Sequence, residues 1–251
     1  MKRTIAIITV GVALVGLLAA TGCTRVPLSE TIGGEPTAVT VDKPSHQLDG
    51  AQTLVGTIRM GVGQLTLAGS TEDSDTITSR FEYAPVSWKP EVKFETDGTK
   101  AQYWVDQPES EPMRLGNDVR NDWTMKLPAG VATELSLKLG VGESTIDLRD
   151  IDVRELEVLT GVGSAQIDLS GERTGDVNAT IECGVGEMLI RVPRDMGVRI
   201  IGADDGLGDF ETPGFTEDGR DLVNAAYSKP GPKLEISLSR GVGEVVVEQV
   251  R

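Results

Sequence analysis

Apolar and polar residues alternate with period two on both sides of a recurring Gly-Val-Gly triplet, and the alternation changes phase at each triplet. The triplet occurs at 61–63, 140–142, 161–163, 184–186 and 241–243, with Gly206-Leu207-Gly208 as a sixth copy. Taking the first glycine as position i, i−3 and i−5 are apolar in most copies: Leu137 and Leu135, Val158 and Leu156, Ile181 and Ala179, Leu238 and Ile236. Positions i+4 and i+6 are mainly apolar too: Leu65 and Leu67, Ala165 and Ile167, Met188 and Ile190, Val245 and Val247. Each flank reads as a half-buried strand. The step from i−3 to i+4 is odd, so a straight strand would send the two flanks to opposite faces. The chain must bend or bulge at the triplet for both to reach one core.

Glycine tolerates the positive φ that such a corner needs. The expected corner residues are Gly61 and Gly63, Gly140 and Gly142, Gly161 and Gly163, Gly184 and Gly186, Gly206 and Gly208, and Gly241 and Gly243. The middle copies are spaced by 21, 23 and 22 residues, a solenoid period. The pattern predicts an all-β chain, a β-solenoid with one coil per repeat and an aliphatic core. An antiparallel sandwich with glycine bulges would use the same alternation.

Residues 72–123 interrupt the repeat and hold seven of the ten aromatic residues. Thr76–Tyr83, Lys89–Glu95 and Lys100–Val105 alternate like strands, and Asp97-Gly98 marks a hairpin turn between the last two. This region reads as a sheet that caps the first end of the solenoid, where an open rung would expose unpaired backbone. Trp88, Tyr103 and Trp104 could form a glycan-stacking platform. The simpler reading makes most of them cap core, with one ring exposed because Tyr103 and Trp104 alternate.

The first 23 residues have the order of an export signal: Lys2 and Arg3, an apolar run from Ile5 to Leu18, then Ala19-Ala20-Thr21-Gly22 and Cys23. The apolar run is too short to span a bilayer. Its end resembles the bacterial lipobox, which implies cleavage before Cys23 and a diacylglyceryl group on its sulfur. Two acyl chains suffice for stable anchoring. Thr24 follows; in a two-membrane bacterium, the absence of Asp there favours sorting to the outer membrane. The expected layout is a lipoprotein signal over 1–22, a flexible tether over 23–50 containing a solvated His46, an aromatic-rich part over 51–130, and the repeat solenoid over 131–251.

Net charge is −15, and losing Lys2 and Arg3 makes it −17. An acidic surface excludes nucleic acid as partner and should be repelled by anionic lipid. One His leaves no basis for the usual Ser-His-Asp triad or for zinc. With Cys23 acylated, Cys183 is the only thiol; the alternation points it inward, as a small apolar residue. No cofactor is expected.

Position i+3 is acidic in four copies, at Glu143, Glu187, Asp209 and Glu244. Stacked rungs would align these into a ladder. It is a candidate cation-binding edge or, more simply, a solvated edge, since hard cations need converging oxygens. Asp204, Asp205 and Asp209 cluster near Arg199, Arg220 and Lys229 in sequence. That grouping would suit a polysaccharide-active β-helix enzyme only if one cleft held them.

One ordered series of motifs is more specific than any single copy: Trp88-Lys89-Pro90-Glu91-Val92-Lys93, Asn121-Asp122-Trp123 with Leu127, and Leu139-Gly140-Val141-Gly142-Glu143. Gly184-Val185-Gly186-Glu187, Val192-Pro193-Arg194-Asp195-Met196-Gly197-Val198, Gly206-Leu207-Gly208 and Gly241-Val242-Gly243-Glu244 complete it. Over residues 51–251 it resembles the bacterial toast-rack domain of LiaF-like envelope-stress proteins and of many lipoproteins. The resemblance implies a β-solenoid-like fold, no catalytic residues, and a part in envelope homeostasis or stress response. LiaF-like proteins carry transmembrane helices and act with a membrane histidine kinase; this chain has a lipobox instead. The expected function is therefore a non-catalytic, membrane-anchored binding or scaffolding module. Its partners would be an envelope protein or cell-wall glycan, with self-association open. A surface adhesin and a polysaccharide-active enzyme are the alternatives.

Overall fold

The structure is a computed structural model that describes residues 38–70, 75–108, 119–202 and 206–251. In chain order its strands are β1 (Thr40–Asp42), β2 (Ser45–Gln47), β3 (Thr53–Gly69), β4 (Thr76–Ala84), β5 (Glu91–Asp97), β6 (Lys100–Asp106) and β7 (Arg120–Leu127). They continue as β8 (Ala132–Asp147), β9 (Val153–Asp168), β10 (Val177–Pro193), β11 (Gly197–Ile201), β12 (Phe210–Glu211), β13 (Phe215–Asp218), β14 (Asp221–Asn224) and β15 (Lys233–Val250). One short 3-10 turn, Val86–Trp88, is the only helical element among the described residues.

The five Gly-Val-Gly strands are long, 16 to 18 residues each. They pair in parallel in the order β3–β8–β9–β10–β15. Only residues 148–152 link β8 to β9. Such a link reaches about 20 Å at most, whereas a straight strand of that length spans about 50 Å. Each strand must therefore double back, and the triplet is where it bends. In β3, Leu54, Ile58 and Met60 are buried before the bend, and Leu65 and Leu67 after it. Both sets belong to one hydrophobic cluster. The odd step between flanks is absorbed as the alternation requires: Met60↔Leu139 is followed by Val62↔Val141, and the first glycine drops out of the pairing.

The two glycines of a triplet are needed for different reasons. The second has positive φ in every copy, from +120° at Gly208 to +151° at Gly63. The first, in the five full triplets, has no such φ. A Cβ on Gly161 would stand 2.3 Å from the Gly140 carbonyl oxygen, and one on Gly163 would stand 1.9 Å from that of Gly142. At Gly161 the constraint is thus close backbone stacking alone.

Both ends of the stack close by a switch from parallel to antiparallel pairing. At the first end β6 covers the leading half of β3 and β7 covers the trailing half, so together they form a broken rung. β5 then pairs antiparallel with β6; β4 does so with β7, and β1 and β2 with β4. The buried rings gather here: Phe81, Tyr83, Trp88, Tyr103 and Trp123. Phe81 meets Trp123 edge-on at 5.4 Å, and the Ser79 and Tyr103 hydroxyls lie 2.8 Å apart. At the other end β11, Gly206-Leu207-Gly208 and β12 make a second broken rung on β15, covered by β14 and β13. Sequence order does not hold there. The sixth copy lies beyond the fifth, and β15 is inserted between β10 and β11.

Opposite the bend, the half-buried Arg173 guanidinium donates to the carbonyls of Leu148 and Ile151, at 2.9 and 2.8 Å, tying successive closing turns together.

The aromatic-rich part and the repeat form one structural unit, because β3 lies between the cap and β8 in one sheet. Two expectations change. The part of the tether within the described residues is ordered: residues 40–42 and 45–47 are strands on β4. His46 is not a solvated tether residue. Its ring stacks on Phe94 at 4.9 Å and lies 5.5 Å from Tyr103, with Nε2 buried and unpartnered. Desolvation lowers its pKa.

Two predictions follow from these contacts. Gly163→Ala should lower stability by about 2–6 kcal/mol, combining strain at positive φ with displacement of a neighbouring carbonyl. Gly130→Ala, with open space around the new methyl, should stay within about 0.5 kcal/mol of wild type; circular dichroism melts compare the two. For His46, the folded state holds the neutral ring, so its stabilisation is complete above pH ~6.5. It is lost as pH falls from there through the lowered folded pKa. Melts of wild type and His46→Phe between pH 5 and 8 should diverge only on the acid side, with wild type falling.

Candidate functional site

Stacked bends produce a ridge along the whole solenoid. At its crest the middle residue of each triplet points outward, in the spatial order Val62, Val141, Val162, Val185, Val242 and Leu207. The four valines from Val141 to Val242 are 49–50% exposed and Leu207 is 71% exposed. Parallel rungs repeat about every 4.8 Å, so methyl groups line roughly 24 Å of surface. The remaining exposed large apolar residues among the described ones, Val39, Val41, Val86 and Val119, belong to the cap end. Val39 and Val119 share one groove with Val62 and Val141. The apolar line therefore extends onto the cap.

The acidic i+3 row runs alongside the crest. Its spatial order is Gln64, Glu143, Ser164, Glu187, Glu244 and, on the last broken rung, Asp209. The chain order placed Asp209 between Glu187 and Glu244. The insertion of β15 instead puts Glu187, Glu244 and Asp209 on three consecutive rungs. All four carboxylates are exposed, and none forms a salt bridge among the described residues. Several other outward acids find partners: Asp147 and Asp168 share Arg149, Glu248 pairs with Arg191 at 2.8 Å, and Glu157 accepts from Ser136 at 2.5 Å. Hydrogen bonds from Arg149 hold the Asp147 carboxyl below the usual range.

The ridge ends differently at its two ends. At the cap, the Gln107 side-chain oxygen accepts from the Gly61 and Val62 amides at 2.9 and 3.0 Å. Asn121 donates to the Val62 carbonyl at 2.6 Å and to the Gln107 oxygen at 3.0 Å, and accepts from Trp123 Nε1 at 2.7 Å. Two side-chain amides thus replace the missing rung. Asn121-Asp122-Trp123 was visible as a motif, but only pairing across the sheet reveals this role. At the far end the last triplet does the work itself: Leu207 donates to the Gly241 carbonyl and accepts from the Gly243 amide, each at 2.8 Å.

The other candidates disperse. Cys183 is buried, and desolvation raises its thiol pKa. Trp88 and Tyr103 are core, burial pushes the Tyr103 pKa up to about 12, and only Trp104 is half-exposed; the three rings make no platform. Arg199 is bound to Asp221 and rests near the Tyr227 ring. It is committed within the second cap. Asp204, Asp205 and Cys23 lie outside the described residues. Among the described residues no group of acids, His or Cys has the arrangement of a metal site. Addition of about 1 mM calcium, the weak end of extracellular calcium modules, should leave the Tm within about 1 °C; a rise of several degrees would make the acidic row a cation site.

Comparison with known proteins agrees with this architecture. Residues 35–191 match the family described as "N-terminal domain of toast_rack, DUF2154". The chain is similar to a crystal structure from Clostridium sporogenes ATCC 15579, described as "a putative cell adhesion protein". The two are 30% identical, with 85% of this chain and all of that one covered, at a TM-score of 0.78. A crystal structure from Bacteroides fragilis NCTC 9343, described as "a putative adhesin", is 12% identical over 86% of this chain and all of that one, at a TM-score of 0.33. No curated protein matches. Extent of match, glycine corners and fold agree: the chain belongs to the toast-rack family.

Proposed function

We propose that this chain is a lipid-anchored module of the bacterial envelope, outside the cytoplasm, that binds or scaffolds other envelope components without catalysis. The observation that carries this reading is the ridge. A continuous line of exposed methyl groups beside unpaired carboxylates is a contact surface, whereas Arg199, a candidate base, is committed to Asp221 in the second cap. The lipobox supports the anchor, and family membership supports a place in envelope homeostasis or stress response. Adhesion is the second reading, favoured by the description of the Clostridium sporogenes relative.

In-cell crosslinking of the native protein, with Cys23→Ala as control, followed by mass spectrometry of what co-purifies, tests the proposal. A membrane or envelope protein recovered with wild type and lost with Cys23→Ala is the expected result. Recovery of cell-wall or host glycan alone would move the function to adhesion. Turnover of a polysaccharide would overturn the reading.

A further inference from the structure

We infer that the crest of the ridge is a docking surface for a cationic, amphipathic polypeptide segment lying along the solenoid axis. This rests on the binding-module reading and names the chemistry of the partner. The occupant must satisfy two parallel rows at once. The crest offers only methyl groups, about half exposed from Val141 to Val242 and more so at Leu207, so it rewards apolar contact and provides no hydrogen bonds. Two residues along each strand, on one flank, Glu143, Glu187, Glu244 and Asp209 form no ion pair among the described residues.

The charge imbalance is local as well as global. The cations just before the bend are already engaged: Arg59 with Asp106 at 3.6 Å, and Lys138 with Glu157 at 4.0 Å. Arg240 lies over the Phe210 ring at 4.3 Å. Several outer-face acids elsewhere are met by a neighbouring rung, as Glu248 is by Arg191. Those of the i+3 row are not. The complement of the ridge is therefore a partner with an apolar stripe and Lys or Arg beside it. The crest runs about 24 Å along the stack, close to the length of a 16-residue helix, and the acids span about 19 Å of it.

Other occupants fit less well. A second copy docked ridge to ridge would set these carboxylates against themselves. A glycan would gain little from a crest of methyl groups. An anionic bilayer would be repelled by the row of acids.

The test uses the full-length protein in nanodiscs of zwitterionic lipid, with empty nanodiscs as blank. Fluorescence anisotropy follows a labelled Leu/Lys amphipathic peptide about 16 residues long and a Leu/Glu peptide of equal length and apolar content. Val162→Ser/Val185→Ser keeps every charge and alters only exposed side chains, so its Tm should match wild type. The expected result is binding of the Leu/Lys peptide, at least tenfold weaker binding to the serine variant, and little binding of the Leu/Glu peptide. Glu187→Gln/Glu244→Gln should bind several-fold more weakly and with a shallower salt dependence.

Equal binding by wild type and the serine variant would place the peptide elsewhere on an acidic protein and overturn the inference. Equal binding of the two peptides would overturn the cationic partner. Sedimentation showing a wild-type dimer lost in the serine variant would assign the ridge to a second copy instead. Failure of the Leu/Lys peptide to bind would also overturn the inference. The binding-module reading would then still stand or fall on the crosslinking experiment.

Discussion

Backbone stacks on backbone at the bend with no room for a side chain. From Gly63 through Gly142, Gly163 and Gly186 to Gly243, a β-carbon on each second glycine after the first would fall within 2 Å of the carbonyl oxygen of the rung before. That constraint lets every long strand turn at the same height. Bending brings its two ends close enough for short links such as 148–152. Bending also lets both flanks contribute to one core. With one methyl in the wrong place, the rung could not keep both its bend and its register with its neighbours.

Because all rungs bend together, the defect does not accumulate. The residue lost from the ladder is the same in each strand, so pairing resumes in register on the far side of the triplet. The cost appears only at the ends of the stack, where a rung has a neighbour on one side. The two ends solve this differently. At the first, the amide side chains of Gln107 and Asn121 replace the absent backbone. At the second, a short Gly-Leu-Gly rung is laid over β15, and antiparallel strands close the leading half.

The same bend creates the surface from which function is argued. A residue between two corner glycines cannot face the core, so each full triplet presents its valine outward. Repetition turns this local necessity into a continuous apolar line, and the residue two places on becomes an equally regular acidic row. Neither row would form a surface on a single strand. Their meaning comes from stacking, which makes a sequence repeat into a one-dimensional array.

Much of this was legible in the chain because it depends on neighbours in sequence. The period-two flanks, the phase change at Gly-Val-Gly, the hairpin at Asp97-Gly98 and the inward Cys183 all follow from alternation along one strand. The tertiary structure decided what depends on neighbours across the sheet. It placed the sixth triplet beyond the fifth, because β15 inserts between β10 and β11, and so put Asp209 next to Glu244. It drew His46 out of the expected tether into a ring stack, because β4 offered an open edge. It also revealed Gln107 and Asn121 as the end of the ridge. Alternation tells a residue which face it takes; only the order of strands tells it what stands beside it.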